Sequence, residues 1–305
     1  MTLRILCVRS GFLGDVLMST SALRYIKCKL PDSELTYATW TSCADLLALN
    51  PYVDELTRPG KYMVSDYGGA WVDFRHEALM DKYPDTYWGE LHARNAAEAG
   101  LLDLDQTDSF KPETFIGPSD KMTMPKRKFA AVNIFTRNGV NWRLWSNSKW
   151  EELVGLLQKM GYVIVQLGGK DDPRLGSVDI QFCGKTSLAQ SISVVSQADL
   201  VVAIDSFLAH VAHSRIFMRD IDAGTTEMLS DSTPCVLLAG PVPWKFVVPN
   251  DARCIPVSTY PDCDGPCNHS FATAELPICV HKNSCMRDLS VSDVIAKVEE
   301  ISGRS

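Results

Sequence analysis

Short apolar runs alternate with amphipathic runs along most of this 305-residue chain. The first repeat of the pattern is the run LRILCVR, the loop SGFLGD and a stretch in which apolar residues have helical spacing. Later examples are FAAVNIF before KWEELVGLLQKMG, and DLVVAI before LAHVAHS. Strands that alternate with helices favour a parallel sheet covered on both faces. We therefore expect an α/β protein.

The alternation is interrupted at residues 111–128. This segment, KPETFIGPSDKMTMPKRK, holds three prolines and several charges but little apolar periodicity, and we interpret it as a hinge. A chain of 305 residues is large for one hydrophobic core and comfortable for two. We expect a first domain over residues 1–118, a second over residues 119–289, and a C-terminal helix over residues 290–305 with Ser290 as its N-cap.

Bulk properties exclude some function classes. A net charge of −7 weakens the case for a protein that binds nucleic acid over its whole surface. No apolar run reaches the ~18 residues that a membrane span requires, and the first residues do not resemble a signal peptide. We expect a cytoplasmic protein without a transmembrane segment, and we leave contact with a membrane surface open.

The first sharp motif is the loop Ser10–Asp15. Gly11 and Gly14 allow a tight turn and a close approach of the backbone to a ligand. In an open parallel sheet, ligands bind outside the carboxyl ends of the strands, which is where this loop is expected. Asp15 either points into the ligand site or is an N-terminal helix residue that the helix dipole favours. From the residues alone, the second interpretation is the more frequent one.

A second motif follows the apolar strand LVVAI. Ser206 and Phe207 open the next helix, and main-chain amides at such a helix start suit a diphosphate. Asp205 can accept hydrogen bonds from hydroxyl or amide groups, and His210 can donate one to a phosphate. The alternative is an N-cap aspartate and a packed histidine, and the spacing leaves both interpretations open.

Two further features follow neighbouring strands. Arg143 comes after the strand AVNIF, where its cation could neutralise phosphate charge. Trp142 and Trp145 beside it are interpreted as packing residues. Gly168 and Gly169 end the next strand and bring the backbone close to a ligand.

Together these segments resemble one family, the ADP-heptose:lipopolysaccharide heptosyltransferases of glycosyltransferase family 9. The resemblance is carried by the N-terminal segment up to VDEL, by RLWSNSKWEEL, by GKTSLAQSISVVSQADLVVAIDSFLAHVAHS and by CMRDLSVSDVIAKVEEI. It implies a GT-B fold, in which two Rossmann-like domains face a cleft, the first binding the acceptor and the second the donor. It also implies inverting transfer of a heptose or related sugar from a nucleoside-diphosphate sugar, above all ADP-heptose, without a catalytic metal.

The resemblance also implies roles for individual residues. Asp15 falls on the family's catalytic base, and Arg143 falls on its phosphate-facing lysine. The residues expected to bind the nucleotide sugar are Gly14, Arg143, Gly168, Gly169, Asp205, Ser206, Phe207 and His210. Two departures from the family pattern are Ser146, where the family has proline, and residues 215–233, which look like an insertion. This insertion is either a lid beside the donor site or an inert surface loop.

The sequence leaves the acceptor open between a carbohydrate, a protein and a modified nucleic acid. Basic residues would favour an anionic acceptor, although basic side chains on a surface are usually only solvated. The candidates are Arg9, Arg24, Lys27, Arg75 and His76.

Four of the ten cysteines form a cluster with the spacing C-x3-C-x11-C-x5-C: Cys263, Cys267, Cys279 and Cys285. Thiolates at such intervals can close a tetrahedral metal site. Zinc is the first expectation and iron the second, because four thiolates suit both; the alternative is a set of buried or unpaired thiols. Protein-glycosylating members of the resembled family carry a similar metal-binding set. A site closed by four thiolates has no open position, so we expect a structural one. Of the scattered cysteines, Cys7 and Cys235 are expected to be small buried hydrophobes.

Two other function classes are weighed. A dinucleotide-dependent oxidoreductase would explain Gly11 and Gly14 after the first strand, but the motif lacks a leading glycine and the second strand ends without an acidic residue for a ribose. A catalytically inactive, metal-stapled interaction protein would explain the cysteines. The retention of Asp15, Arg143, Asp205 and His210 argues against it.

Overall fold

A computed structural model describes residues 2–75, 77, 79–80, 82–83, 86–104, 110–136, 143–240, 243–250, 252–259 and 284–303. The chain divides into two compact units. The first comprises Met1–Lys121, Ser214–Asp231 and Lys245–Ala252. The second comprises Met122–His213, Ser232–Trp244 and Arg253–Ser305.

The first unit contains a four-stranded parallel sheet. Its elements are β1 (Arg4–Val8), α1 (Leu13–Lys29), β2 (Glu34–Ala38), α2 (Thr41–Ala44), β3 (Glu55–Thr57), β4 (Trp71–Asp73) and α3 (Trp88–Glu98). The strands lie in the order β3-β2-β1-β4. Val8 pairs with both Ala38 and Asp73, so the carboxyl ends of β1, β2 and β4 share one edge.

Local sequence accounts for the helix that follows β1. The apolar residues whose spacing predicts a helix, such as Val16, Leu23 and Ile26, form the buried face of α1. The helix ends at Lys29 and is followed by the C-cap residue Leu30 and then by Pro31. Proline has no backbone N–H and therefore cannot extend the hydrogen-bonding pattern of a helix. This prediction is confirmed.

A second sheet in the first unit adds structure to two segments that looked irregular in the sequence, the predicted hinge and the predicted insertion. The boundary between the units, after Lys121, lies within the predicted hinge. It consists of β5 (Glu113–Ile116), β10 (Arg215–Asp220) and β11 (Thr225–Ser230), in the order β11-β10-β5. The four residues of β5 are buried, although they lie in the predicted hinge. The segment predicted as an insertion forms an antiparallel hairpin that pairs with β5 through β10. Because Phe217 stacks on Phe115 with ring centroids 5.0 Å apart, the hairpin is not an inert surface loop.

The second unit contains a six-stranded parallel sheet. Its elements are β6 (Phe129–Asn133), α4 (Asn147–Lys159), β7 (Val163–Gln166), β8 (Ile180–Gln181), α5 (Leu188–Gln197), β9 (Leu200–Ile204), α6 (Phe207–His213), β12 (Cys235–Leu238), β13 (Cys254–Val257), α8 (Ser284–Arg287) and α9 (Val291–Ser302). The strand order is β13-β12-β9-β6-β7-β8. A short helix, α7 (Trp244–Val247), lies where the chain passes from the second unit to the first, and two 3₁₀ helices of the first unit span Val64–Tyr67 and Pro118–Asp120.

Helix α9 belongs to the core of the second unit. Val294 and Val298 lie in the same buried cluster as Trp150 and Leu153 of α4. The hydroxyl of Ser290 accepts a hydrogen bond from the N–H of Asp293, which confirms the predicted N-cap. Trp145 is buried, and its ring N–H donates to the carbonyl of Leu289 at 3.0 Å, in agreement with its predicted packing role. Among the described residues, no helix combines the length and the apolarity that crossing a membrane demands.

Candidate functional site

The loop between β1 and α1 holds Asp15 by two contacts. Its Oδ2 accepts a hydrogen bond from the N–H of Phe12 at 2.9 Å, and its Oδ1 lies 3.1 Å from Nη2 of Arg9. The side chain of Asp15 is nevertheless 22% exposed. The carboxylate therefore caps its own helix, as expected for an N-terminal helix residue. It also keeps an accessible face, which a residue of a ligand site needs.

Gly11 is required by the position of Asp15. A Cβ atom at residue 11 would lie 2.6 Å from Cβ of Asp15 and 2.7 Å from its Oδ2, which is closer than real Cβ contacts. The absence of a side chain at Gly11 therefore lets the loop pass over the carboxylate. Gly14 lies beside Asp15 in the first turn of α1.

Arg9 joins Asp15 to other acidic groups at the same sheet edge. Its side chain is only 6% exposed, and its Nη1 lies 3.3 Å from Glu77. Burial lowers the pKa of Arg9, but the charges of Asp15 and Glu77 raise it by more, so the guanidinium stays charged. Asp73, the last residue of β4, lies 2.7 Å from Arg75. Burial raises the pKa of Asp73 against the opposing effects of Arg75 and Arg9.

The sequence interpretation missed Asp73 and Glu77. Asp73 carried a usable signal, because an acidic residue at the end of a parallel strand lies where ligands bind. Of the basic candidates, Arg9 contacts Asp15, and the others described here form ion pairs within the first unit. Arg24 pairs with Glu113 at 3.4 Å, Lys27 with Asp54 at 2.6 Å and Arg75 with Asp73, while His76 lies outside the described residues.

In the second unit, Asp205 follows β9 directly and joins two predicted residues. Its Oδ2 lies 3.1 Å from Nη1 of Arg143, and its Oδ1 lies 3.5 Å from Nε2 of His210. Arg143 also donates to the main-chain carbonyl of Asp205 at 3.3 Å. The carboxylate is almost sealed, with 3% of its side chain exposed, whereas the side chain of Arg143 is 16% exposed. Asp205 thus holds the side chains of Arg143 and His210, and Arg143 keeps an accessible face.

Ser206 connects two strand ends. Its hydroxyl donates to Oδ1 of Asn133 at 2.6 Å, and Nδ2 of Asn133 donates to the carbonyl of Leu167 at 3.1 Å. The side chains at the ends of β6 and β9 are therefore fixed to each other. Asn133 was not predicted, although its place at the end of β6 is the same kind of signal as Asp205. Phe207 is half-buried and begins α6.

The glycine pair after β7 lies close to Asp172. The N–H of Gly169 donates to Oδ2 of Asp172 at 2.7 Å. A Cβ atom on Gly168 would lie 2.8 Å from Oδ2 of Asp172 and 2.9 Å from Sγ of Cys183. The close backbone approach expected here is therefore present, and it is made toward protein groups.

The predicted cysteine cluster is only partly described. Cys285 lies in α8 and is buried. Cys263, Cys267 and Cys279 lie outside the described residues. The four-cysteine metal site therefore stays a prediction.

Comparison with known protein families supports the resemblance that the sequence shows. Residues 81–215 match the family model of glycosyltransferase family 9 (heptosyltransferase). The resemblance to this family is confirmed. The matched segment contains Arg143, Asp205 and His210, whereas Asp15 lies before it. The prediction of a glycosyltransferase is also confirmed by this match.

Solved structures of low sequence identity share this fold. A glycosyl transferase family 9 protein from Veillonella parvula is 17% identical with a TM-score of 0.72, and the alignment covers 100% of this chain and 99% of that one. ADP-heptose lps heptosyltransferase II of E. coli is 16% identical with a TM-score of 0.69, covering 99% of both chains. No curated protein matches the chain.

A third similar structure is an iron-containing protein that was solved with a bound nucleotide sugar. The iron-containing dodecameric heptosyltransferase TibC of enterotoxigenic E. coli, in complex with ADP-D-beta-D-heptose, is 14% identical with a TM-score of 0.70. The alignment covers 99% of this chain and 76% of that one. Together the three likenesses confirm the predicted α/β fold of the GT-B class, with two Rossmann-like units.

Proposed function

We propose that this protein transfers a sugar, with inversion, from a nucleoside-diphosphate sugar to the hydroxyl of an acceptor. One observation carries the proposal: Arg143, Asp205 and His210 meet at the carboxyl edge of a parallel sheet, within the segment that matches the family. Ligands of such sheets bind at this edge.

The donor side of the proposal rests on Arg143 and His210, the two side chains that Asp205 holds. When the bond between the sugar and the diphosphate breaks, its electron pair stays with the diphosphate, which gains negative charge. Arg143 and His210 stabilise that charge because their positions are already fixed before the reaction. Asp205 is a positioning residue in this scheme, since its side chain is sealed from solvent.

The acceptor side rests on Asp15. Its accessible carboxylate accepts the proton of the acceptor hydroxyl while the hydroxyl oxygen forms a bond to the anomeric carbon. A single displacement of this kind inverts the anomeric configuration. Arg9 and the N–H of Phe12 fix the orientation of the carboxylate, so that the attacking oxygen is directed rather than only deprotonated.

The proposed substrates follow from the solved relatives. Two of the three similar structures are described as heptosyltransferases, and one of them is in complex with ADP-D-beta-D-heptose. This supports ADP-heptose as the donor and a carbohydrate hydroxyl as the acceptor. A protein acceptor, a nucleic-acid acceptor and a cytoplasmic location stay predictions.

A ligand panel tests the proposal. The protein is heated with ADP-heptose, other ADP-sugars, UDP-sugars, NAD and NADP, and release of nucleoside diphosphate is measured in parallel. We expect ADP-heptose to raise the melting temperature, because a ligand at 100 times its Kd stabilises the folded state by about 2.7 kcal/mol. We also expect slow hydrolysis of the same donor.

Two variants locate the effect. Arg143→Ala should lose most of the donor-dependent thermal shift, whereas Arg127→Ala, which removes an exposed arginine of the same unit, should keep it. Stabilisation by NAD or NADP in place of any nucleotide sugar would refute the proposal in favour of an oxidoreductase. Donor binding without hydrolysis or transfer to any acceptor would favour the inactive interaction protein.

A further inference from the structure

Three residues that the proposed reaction does not use meet in the second unit. Cys235 begins β12, Cys254 begins β13, and these two residues pair directly in the parallel register. Paired residues of neighbouring strands project from the same face of a sheet. His213 is the last residue of α6. The fold thus brings together side chains from three separate parts of the sequence.

The side chains are close enough to share one ion. One ligand atom from each residue, a thiol sulfur or an imidazole nitrogen, lies within 4.8 Å of the other two. Cys235 and His213 are fully buried, and Cys254 is half-buried. The cluster is therefore largely buried and consists of thiols and an imidazole, unlike the clusters of acidic side chains that are common on protein surfaces.

The buried ring of His213 favours a bound ligand. Neither of its ring nitrogens makes a hydrogen bond of normal geometry to a described residue, although the residue is only 1% exposed, and the group that interacts with it is the thiol of Cys235. Leaving a buried polar group without a partner destabilises the folded state. A bound ion would remove that cost, because an imidazole nitrogen is a common metal ligand.

The cluster is separate from the proposed donor site. Cys235 pairs with Val201 near the start of β9, whereas Leu238 pairs with Ile204, the residue before Asp205. Cys235 is three steps along the strand from Leu238, a distance of about 10 Å at ~3.3 Å per residue. The cluster therefore lies toward the amino-terminal edge of the sheet, and Asp205 lies at the carboxyl edge.

We propose that His213, Cys235 and Cys254 form a zinc site. Two thiolates and one imidazole are a ligand set that zinc accepts, with water in the fourth position. Zn–S bonds of about 2.3 Å and Zn–N bonds of about 2.1 Å bring tetrahedral ligands to roughly 3.5–3.8 Å of one another. The three side chains would therefore move together by about 1 Å. The half-buried Cys254 gives the ion and the water a path to the site.

A disulfide between Cys235 and Cys254 is the competing arrangement. Neighbouring strands are about 4.8 Å apart, which is within the range of Cα separations that a disulfide allows. It would, however, leave His213 buried without a partner. A metal ion uses all three residues, and this is why the structure favours it.

The site would fasten the end of α6 to two strands. The ring of His213 also contacts the ring of His210, with centroids 6.4 Å apart. The same short helix therefore carries the zinc ligand at its end and the proposed donor-site histidine one turn earlier. Binding of zinc at this site does not depend on the proposed transfer reaction.

Metal analysis of the full chain tests the site. The Cys263→Ser/Cys267→Ser variant removes two of the four predicted cluster ligands, so that remaining zinc reports on the new site. We expect this variant to retain one zinc per chain. Adding Cys254→Ser should weaken zinc binding by about 100-fold or more, since even groups that only orient a metal ligand contribute about 10–100-fold. Adding Cys28→Ser, an exposed cysteine of the first unit, should change nothing.

A spectroscopic measurement tests the site without a substitution at Cys254, and it is therefore informative even if Cys254→Ser does not fold. In the Cys263→Ser/Cys267→Ser variant loaded with Co²⁺, the new site should give the intense near-ultraviolet absorption of thiolate-bound cobalt. The absence of stoichiometric metal from this variant overturns the proposal, as does unchanged affinity in Cys254→Ser. A Cys235–Cys254 disulfide, found by thiol titration without reductant, overturns it as well.

Discussion

The two units each place an arginine–aspartate pair at the carboxyl edge of a parallel sheet. Arg9 and Asp15 are 3.1 Å apart in the first unit, and Arg143 and Asp205 are 3.1 Å apart in the second. The exposure of the members is reversed. Asp15 is 22% exposed beside a sealed Arg9, whereas Asp205 is 3% exposed beside a partly accessible Arg143.

This reversal indicates which member of each pair can touch a substrate. An accessible carboxylate held by a buried cation can take a proton from a hydroxyl group. An accessible guanidinium held by a buried carboxylate can meet a phosphate. The same ion pair is thus suited to opposite partners, and burial alone makes the difference.

The largest expected effect concerns Asp15. In Asp15→Asn, we expect turnover to fall by about 10³-fold, because a positioned base contributes ~10²–10⁴-fold. The amide oxygen can still accept the hydrogen bond from Phe12, and the buried Arg9 keeps its ion pair with Glu77. The melting temperature and the donor-dependent thermal shift should therefore change little. Near-normal turnover in steady-state assays would remove Asp15 from the mechanism.

The same substitution in the second unit should act mainly on stability. Asp205→Asn leaves the largely buried Arg143 without its opposite charge, and breaking a buried pair in this way costs about 3–5 kcal/mol. We expect the lower end of this range, about 3 kcal/mol, because Arg143 is partly accessible. Urea denaturation of both variants checks the contrast. Equal losses of stability in Asp15→Asn and Asp205→Asn would abolish the distinction between the pairs.

Glycine substitutions extend the comparison to the loops. Gly11→Ala drives a Cβ atom into Asp15, and Gly168→Ala drives one into Asp172 and Cys183. Overpacking of this kind costs about 1–3 kcal/mol. We expect Gly11→Ala to lower turnover by up to about 10²-fold through displacement of Asp15, and Gly168→Ala to weaken donor binding. Titrations with ADP-heptose and turnover assays separate the two effects.

A third glycine supplies the control. Gly155 lies in α4, and a Cβ atom there would meet no atom within 4 Å. Gly155→Ala should therefore stabilise the protein by about 0.5–1 kcal/mol and leave turnover and donor binding unchanged. A loss of turnover in this variant would mean that the assay reports general damage rather than the sheet edges.

The smallest expected effect concerns Asp54, a carboxylate of the first unit that the proposed reaction does not use. Its effect on stability is the reference against which the substitutions at Asp15 and Asp205 are compared. Burial alone would raise the pKa of Asp54, but the hydrogen bond from Leu35 and the ion pair with Lys27 together lower it. A folded-state pKa below the unfolded value contributes stability at neutral pH, and this contribution is lost as the pH falls below about 4. Asp54→Asn should flatten that part of the stability–pH profile without changing turnover. An unchanged profile would show that the ion pair contributes nothing measurable.

Much of the fold could be predicted because the decisive signals are local. The spacing of Val16, Leu23 and Ile26 predicted α1, and the apolar run LVVAI predicted β9. Parallel strands collect the residues that follow them at one edge, so the meeting of Arg143 with Asp205 and His210 was also foreseeable. Burial was not foreseeable, and it is burial that separates Asp15 from Asp205.

The hairpin β10–β11 shows where local signals fail. Its sequence, RIFMRDIDAGTTEMLS, looked like an insertion because its strand partner, β5, lies about 100 residues earlier in a segment that resembled a hinge. Neither strand has a strong pattern of its own. Pairing with the other, and the stacking of Phe217 on Phe115, supplies what the local sequence lacks.

By itself, the sequence determined the alternation of strands and helices, the loops at the strand ends and the family that these resemble. Only the tertiary structure decided which carboxylate is accessible, and which scattered cysteines lie beside His213. The spacing of apolar residues shows which face of each helix or strand is buried. The exposure of a polar side chain and its contacts, by contrast, depend on segments that are far apart in the chain. Cys235 is a buried hydrophobe by its local pattern and a candidate zinc ligand by its neighbours.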